Sequence, residues 1–287
     1  MKELTIISGK GGTGKTSIVG SFASLAKNFV LADTDVDAAD LHLIIEPEIK
    51  QSNDFMGGHK AIIDPERCTQ CGDCLERCQF NAIEDYTIDG IACEGCGVCV
   101  HFCPSDAIDF PQRKCGEWFI SNTAYGPMVH ARLGIAEENS GLLVSTVRKA
   151  ARDLAEQEKR ELIIADGSPG IGCPVIASIT GATAILIVTE PTLSGLHDLK
   201  RVAELANFLK IPAMLCINKF DLNSDMSDQL LTAAIEYQLT AVGKVPYDPS
   251  VTRAMVSGKS PIDYSDGPAS QAIRKVWDNV SSFLNAQ

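Results

Sequence analysis

At 287 residues the chain can fold as one large α/β domain or two smaller ones. Its 45% hydrophobic and 22% charged residues argue against intrinsic disorder over most of the length, and a formal charge of −12 argues against a nucleic-acid surface. No apolar run is long enough to cross a bilayer and MKELTIISGK enters a strand rather than a signal peptide, so the expectation is a cytosolic protein whose eleven cysteines point to metal rather than disulfides.

Residues 3 to 8, ELTIIS, form an apolar run that ends at a glycine-rich loop, and residues 15 to 27 read as a helix packed on a sheet. Gly9 to Thr16, GKGGTGKT, fit G-x-x-x-x-G-K-T between that strand and helix, which is the context a phosphate-binding loop requires. Gly9, Gly11, Gly12 and Gly14, with Thr13 and Ser17, let backbone N–H groups turn toward phosphates. Lys15 offers its charge to the β and γ groups, and the Thr16 hydroxyl can ligate magnesium. FVLADTD (29–35) is a second apolar run and ends in Asp33 and Asp35.

Between about 58 and 112 the pattern breaks into two similar halves, CTQCGDCLERCQFNAIEDY and CEGCGVCVHFCPSDAIDF. Each holds C-x-x-C-x-x-C-x-x-x-C, as Cys68, Cys71, Cys74, Cys78 and as Cys93, Cys96, Cys99, Cys103. This spacing lets three thiolates of one tight loop bind one iron–sulfur cube, while zinc is the competing reading of C-x-x-C pairs. The two complete repeats, with Pro104 after the last cysteine, favour two 4Fe-4S clusters in an inserted domain, although Gln79 stands where the first run lacks its proline.

The following segment 116–141 is polar and not clearly amphipathic at its start, and Tyr125 and His130 in it read first as structural. ELIIADG (161–167), TAILIVTEP (183–191) and PAMLCINKFD (212–221) are apolar runs with polar residues at their ends, the pattern of parallel strands buried on both faces. GLHDLKRVAELANFLK (195–210) has the spacing of a crossover helix. The amphipathic C-terminal stretch, with only two basic residues, is expected to dock on the sheet rather than on a membrane. Cys216 lies in an apolar strand and reads as core; Cys115 reads as structural or as a neighbour of a cluster.

The motif KGGTGKT resembles the deviant Walker A ATPases, the group of MinD, ParA, nitrogenase iron protein and the Mrp-type cluster carriers, and the resemblance continues along most of 1–57 and 113–287. It implies ATP and Mg²⁺, a homodimer in the ATP state, and a Lys10 that reaches the partner subunit's phosphates, acting like an arginine finger. It further implies that Asp35 orients the attacking water, that Asp37 and Asp40 belong to a switch loop or its caps, and that Asp166 holds magnesium with Thr16 and Asp35. Asn218 and Asp221 of INKFD would stand where relatives recognise the purine, and the backbone near Pro246 and Asp248 would border the base. Cys173 follows Asp166 at the distance of a subunit-bridging cluster ligand in nitrogenase iron protein, so a bridging or nucleotide-responsive cysteine is a further expectation.

The insert resembles two-cluster bacterial ferredoxins, in which the fourth cysteine of each run ligates the other cluster. That implies one cluster on Cys68, Cys71, Cys74 and Cys103 and another on Cys78, Cys93, Cys96 and Cys99. The expected fold is therefore α/β, a mostly parallel-sheet P-loop NTPase (1–57 and 113–287) with a small α+β ferredoxin-like domain inserted at 58–112. Two functions are expected in competition. In one, ATP-driven dimerisation is coupled to electron transfer or to cluster delivery toward a redox or cluster-acceptor protein. In the other, a positioning or assembly switch carries redox-sensing clusters.

Overall fold

The computed structural model describes residues 1–134 and 140–287. The chain begins with β1 (Lys2–Ser8), α1 (Lys15–Leu25), β2 (Phe29–Asp33), α2 (His42–Ile45) and β3 (Glu48–His59). Short elements follow: β4 (Ile62–Ile63), α3 (Asp73–Arg77), β5 (Ile83–Glu84), β6 (Thr87–Ile88), α4 (Val98–His101) and β7 (Ile108–Asp109). Next come β8 (Gln112–Asn122), β9 (Pro127–Leu133), α5 (Ser140–Gln157), β10 (Leu162–Pro169), α6 (Cys173–Ile179), β11 (Ala184–Thr189) and α7 (Leu193–Phe208). The chain closes with β12 (Ala213–Asn218), α8 (Ser224–Glu236), β13 (Thr240–Val245), α9 (Pro249–Val256), α10 (Pro261–Tyr264) and α11 (Pro268–Asn285).

Two compact units result. The first comprises 1–53, 118–132 and 140–287; the second comprises 54–117 with Leu133 and Gly134, so the interval expected for the insert, 58–112, lies within it. The segment 116–141, which carries no clear amphipathic signal, forms most of β8 and β9, apart from 135–139, which lie outside the described residues.

The sheet order is β13-β12-β11-β1-β10-β2-β9-β8-β3, with parallel pairing from β13 through to β9. Its central strands are apolar on both faces because helices cover both. On one side Phe22, Ile164, Leu186, Ile273 and Val280 form a buried cluster; on the other Ile7, Ile185, Leu199, Leu215 and Leu230 do so. α11 docks on the first side, where Trp277 packs on Phe22 with ring centroids 4.8 Å apart. Register carries chemistry here, since Asp166 of β10 pairs with Asp33 of β2, which puts two carboxylates side by side at the carboxyl ends of buried strands.

The second unit is built on its repeat. Cys68, Cys71, Cys74 and Cys78 recur 25 residues later as Cys93, Cys96, Cys99 and Cys103, and the backbone recurs with them. The left-handed residues Gln70, Gly72 and Asn81 match Gly95, Gly97 and Asp106, and Gly72 and Gly97 each start a helix, α3 and α4. The first strand of each half pairs antiparallel with the last strand of the other, β4 with β7 and β5 with β6. The halves are thereby exchanged across their joint core of Ala61, Cys74, Ile83 and Ile108. Among the described residues no helix is long and apolar enough to cross a membrane.

If α11 is a load on the sheet rather than an appendage, truncating Ile273, 2% exposed, leaves a cavity. Ile273→Ala should lower the unfolding free energy by about 2–5 kcal/mol in urea titrations followed by tryptophan fluorescence. Ile235→Ala, at a side chain 81% exposed, should change it by no more than about 0.5 kcal/mol.

Candidate functional site

β1 ends at the glycine loop and α1 begins at Lys15. Gly14 between them has φ 88°, and a Cβ there would strike the side-chain amide of Asn218, so the helix can start this close to β12 only at a glycine. The loop and the first turn of α1 border a cavity of about 360 Å³ whose wall includes Gly11 to Ser17, Asp35, Asp40, Asn218 and Lys219. α9 supplies the opposite wall with Val251, Thr252 and Met255. Backbone N–H groups at a helix start facing a cavity of this size suit a phosphate chain.

At the cavity's inner end Lys15 Nζ lies 3.1 Å from Asp35 Oδ2 and also bonds Asp166 Oδ1. Lys15, Asp35 and Asp166 are buried, as is Asp33, which donates no charge relief of its own. Burial and the neighbouring Asp166 carboxylate push Asp33 well above the usual carboxylate range, against the pull of Lys15. Burial likewise raises Asp35 despite Lys15. Burial alone would lower Lys15, but Asp166 and Asp35 outweigh it and the ammonium is held more tightly protonated than usual. Three carboxylates thus face one ammonium. Asp33 Oδ2 and Asp35 Oδ1 are buried without a hydrogen-bond partner, as is Thr13 Oγ1. Unpartnered carboxylate oxygens of this kind fit a hard divalent cation. Thr16 and Asp35 reach the cavity wall, and Asp166 backs them through Lys15.

Lys10 is off that wall. Its Nζ pairs with Glu190 Oε1 at 2.7 Å and donates to Ser194 Oγ at 3.1 Å. Glu190 also pairs with Lys219 at 3.2 Å, and Lys219 Nζ donates to the Gly12 carbonyl at 3.2 Å. Burial opposes ionisation of Glu190, but the two lysines hold its carboxyl below the usual range. Glu190 and Lys219 were not singled out in the sequence; the signal was there, since each sits at or just past the polar end of an apolar run.

Asn218 lines the cavity but first serves the loop: Nδ2 donates to the Thr13 carbonyl at 2.7 Å and Oδ1 accepts the Lys219 N–H at 3.0 Å. One N–H and one lone pair remain for a base. Asp221 accepts the Tyr247 N–H at 2.7 Å. Asp248 caps α9 through the Ser250 N–H at 2.8 Å, and neither it nor Pro246 is on the cavity wall. Asp37 and Asp40 are exposed, and Asp40 reaches the wall. Gly9 lies beneath the loop against Asp198, where a side chain would collide.

In the second unit the structure brings Cys68, Cys71, Cys74 and Cys103 to the wall of one small pocket. Cys78, Cys93, Cys96 and Cys99 line another. Each draws three thiols from one half and the fourth from the other, as the exchanged strands require. A single zinc ion needs its thiolates about 2.3 Å from one point. Among the described residues no group of three or more His, Cys, Asp or Glu side chains is disposed to hold a metal ion. Each pocket nonetheless has four cysteines on its wall, the residue type that ligates both zinc and iron–sulfur cubes. Backbone N–H groups already point at the sulfurs, from Ala82 to Cys78 at 3.4 Å and from Ala107 to Cys103 at 3.3 Å, again equivalent positions of the repeat. Burial raises the Cys74 and Cys99 thiols; it pushes Cys103 up as well, but there bonds with Ser105 and Ala107 outweigh it and hold the thiol below its usual range.

The remaining cysteines separate cleanly. Cys216 is fully buried in β12 and burial pushes its thiol up to about 12. Cys115 is buried and bonds the Gly57 carbonyl. Cys173 is exposed at the start of α6. His130 bonds Ser121 at 2.8 Å and burial lowers it to about 4, while Tyr125 donates to Asp263 at 2.6 Å; both serve the first unit's packing.

The sequence model of the CobQ/CobB/MinD/ParA nucleotide binding domain matches residues 4–262. An uncharacterized protein of Methanocaldococcus jannaschii is 32% identical over 285 residues, covering 98% of this chain and 97% of that one. An uncharacterized ATP-binding protein of the same organism is 26% identical over 289 residues, covering 95% and 85%. Among solved structures, the septum site-determining protein MinD of Pyrococcus horikoshii, complexed with Mg-ADP, has the same fold at TM-score 0.60 and 14% identity, over 99% of this chain and 98% of that one.

The raised Asp33 gives a pH signature with a definite sign. In the unfolded chain this carboxyl ionises near about 3.9, but in the folded protein it keeps its proton to higher pH, so its share of stability is present at low pH and is lost as pH rises through the folded value. Asp33→Asn, which retains the acceptor for the Asp35 N–H, should remove that slope. The nucleotide-free variant should gain stability over the parent in urea titrations, and the gain should grow from pH 5 to pH 8.

Proposed function

The chain belongs to the CobQ/CobB/MinD/ParA nucleotide binding domain family, and from that premise we propose that it is an Mg²⁺-dependent ATPase whose ATP-driven homodimerisation is coupled to electron transfer through two 4Fe-4S clusters. The reading rests above all on one observation, the gathering of eight cysteines into two sets of four around separate cavities. In it Lys15 binds the β and γ phosphates, Thr16 and Asp35 hold magnesium with Asp166 behind them, and Asp35 also orients the attacking water. The buried oxygens of Asp33 and Asp35 that lack partners support the cation's place. The P. horikoshii protein of like fold was solved with Mg-ADP. Lys10 leaves Glu190 and reaches the phosphates of the second subunit.

Cubes held by four thiolates supply one-electron chemistry, and with no open ligand position they suit a carrier better than a cargo for delivery. The second unit's carboxylates, among them Asp73, Glu76, Asp85, Asp89 and Glu94, favour a basic redox partner. A second reading follows from the likeness of fold to MinD, a septum site-determining protein: a positioning or assembly switch in which dimerisation recruits a partner and the clusters sense redox state.

Anaerobic electron transfer from the reduced protein to an acceptor, measured with ATP, ADP and no nucleotide, separates the two. Transfer that depends on ATP supports coupling; transfer indifferent to nucleotide, alongside ATP-dependent dimerisation, supports the switch. Lys10→Ala should abolish hydrolysis, a loss of at least about 10³-fold for a group acting as an arginine finger does, while the monomer still binds nucleotide. Cys103→Ser should disturb the cluster held with Cys68, Cys71 and Cys74; loss confined to the other would refute the exchanged pairing.

A further inference from the structure

The internal repeat makes the two cysteine cavities comparable position by position, and they are not equal. Ala107 and Ala82, Ile108 and Ile83, and Ile63 and Ile88 are equivalent and line the first and second cavity respectively. Carboxylates cancel as well: Asp73 borders the first cavity where Val98 borders the second, and Glu94 borders the second where Thr69 borders the first. One pair breaks the balance at the sulfurs themselves. Ser105 lines the first cavity with its hydroxyl 3.6 Å from Cys103 Sγ; its equivalent on the second cavity is Phe80, which has no donor. The Gln70 N–H adds a bond to Cys68 at 3.4 Å, so sulfurs of the first set accept from Gln70 and Ala107, and a ligating Cys103 thiolate, having no proton of its own, would accept from Ser105 as well. In the second set, among the described residues, Ala82 donates to Cys78. A second aromatic ring, Phe110, also borders the second cavity, while Tyr86 borders the first where its equivalent Ala61 borders the second.

Reduction adds one negative charge to a cube and its sulfurs. Donors aimed at those sulfurs stabilise the added charge, and an apolar wall that keeps out water does the reverse. The contacts to sulfur favour the first cavity. We propose that the two clusters are electronically unequal and that Ser105 is the positioning residue that sets the difference, so that a single electron in the half-reduced protein rests on the cluster of Cys68, Cys71, Cys74 and Cys103. The inference rests on the reading that each cavity holds a cube. With both cubes bound, the exchange would be internal: an electron on the second cluster would pass to the first, oxidising one and reducing the other, with no bond or proton transferred.

The test uses the full chain reconstituted without oxygen. Iron, acid-labile sulfide and visible absorption are read first; amounts short of two cubes would defeat the two-cluster reading and this inference with it, before any potential is measured. With both cubes present, a dithionite titration followed by EPR should resolve two one-electron steps. Their separation should correspond to a preference of tenfold or more for the first cluster, 59 mV or more for a one-electron couple. Ser105→Ala should lower the upper step alone, Ser105→Thr should restore it, and Phe80→Ser should raise the lower step. Coincident steps in the parent protein, or a Ser105→Ala variant that leaves both steps in place or moves the lower one, would overturn the assignment while leaving the cluster reading intact.

Discussion

The first unit is organised around an imbalance of buried charge. The strand order sets β10 between β1 and β2, so the loop lysine leaving β1 ends beside Asp166 and Asp35, with Asp33 in register against Asp166. Removing any of these from water is costly, and one ammonium cannot neutralise three carboxylates. The deficit is met by holding a proton on Asp33 or by a bound cation, and only the second leaves every carboxylate free to ligate or to orient water. A site that is electrostatically short of positive charge is one in which magnesium and phosphate enter together more favourably than either alone.

The second unit obeys a different constraint. With halves of this size, neither can bury a core by itself. Pairing the first strand of each half with the last of the other joins them, and the same exchange carries Cys103 to the first cavity and Cys78 to the second. Pairing of thiols and pairing of strands are one geometric fact. The repeat diverges at wall positions such as Ser105 and Phe80, while Ile83 and Ile108 of the joint core and Ala82 and Ala107 of the walls stay matched.

How much of this the sequence discloses follows from what each feature must bury. The central strands and the crossover helix α7 are legible because both faces are covered and their apolar runs are continuous. The glycine loop and the two cysteine runs are legible because their spacing is dictated by phosphate and by thiolate geometry. β3 is not, since Glu48, Lys50 and Gln51 face solvent at the sheet's edge and leave no apolar period to read. β8 and β9 lie inside the sheet, but polar and charged residues such as Arg113, Lys114, His130 and Arg132 break up their apolar period. Within the site, motif residues were placed by the chain's own logic, whereas the wall from α9 was not: Val251, Thr252 and Met255 face the cavity by helical periodicity, and Asp248, which looks like a ligand, is consumed in capping that helix.

The two lysines of the loop differ in how firmly they are held, and the difference bears on their proposed roles. Lys15 is buried among carboxylates, and breaking such a pair by removing one partner costs about 3–5 kcal/mol. Lys10, with its side chain 32% exposed, meets Glu190 at the surface, where an ion pair contributes about 0–1 kcal/mol. Glu190 also keeps Lys219 when Lys10 departs, so it is not left as an unpaired buried charge. A phosphate chain carries more charge than one carboxylate and accepts stronger, charge-assisted hydrogen bonds. On the proposed reading, exchange of Lys10 from its own Glu190 to a nucleotide on a second subunit would therefore be downhill once two copies approach, whereas Lys15 has no comparable alternative outside its own site. The loop thus contains one lysine fixed among carboxylates and one lightly tethered lysine, the one the proposal asks to move.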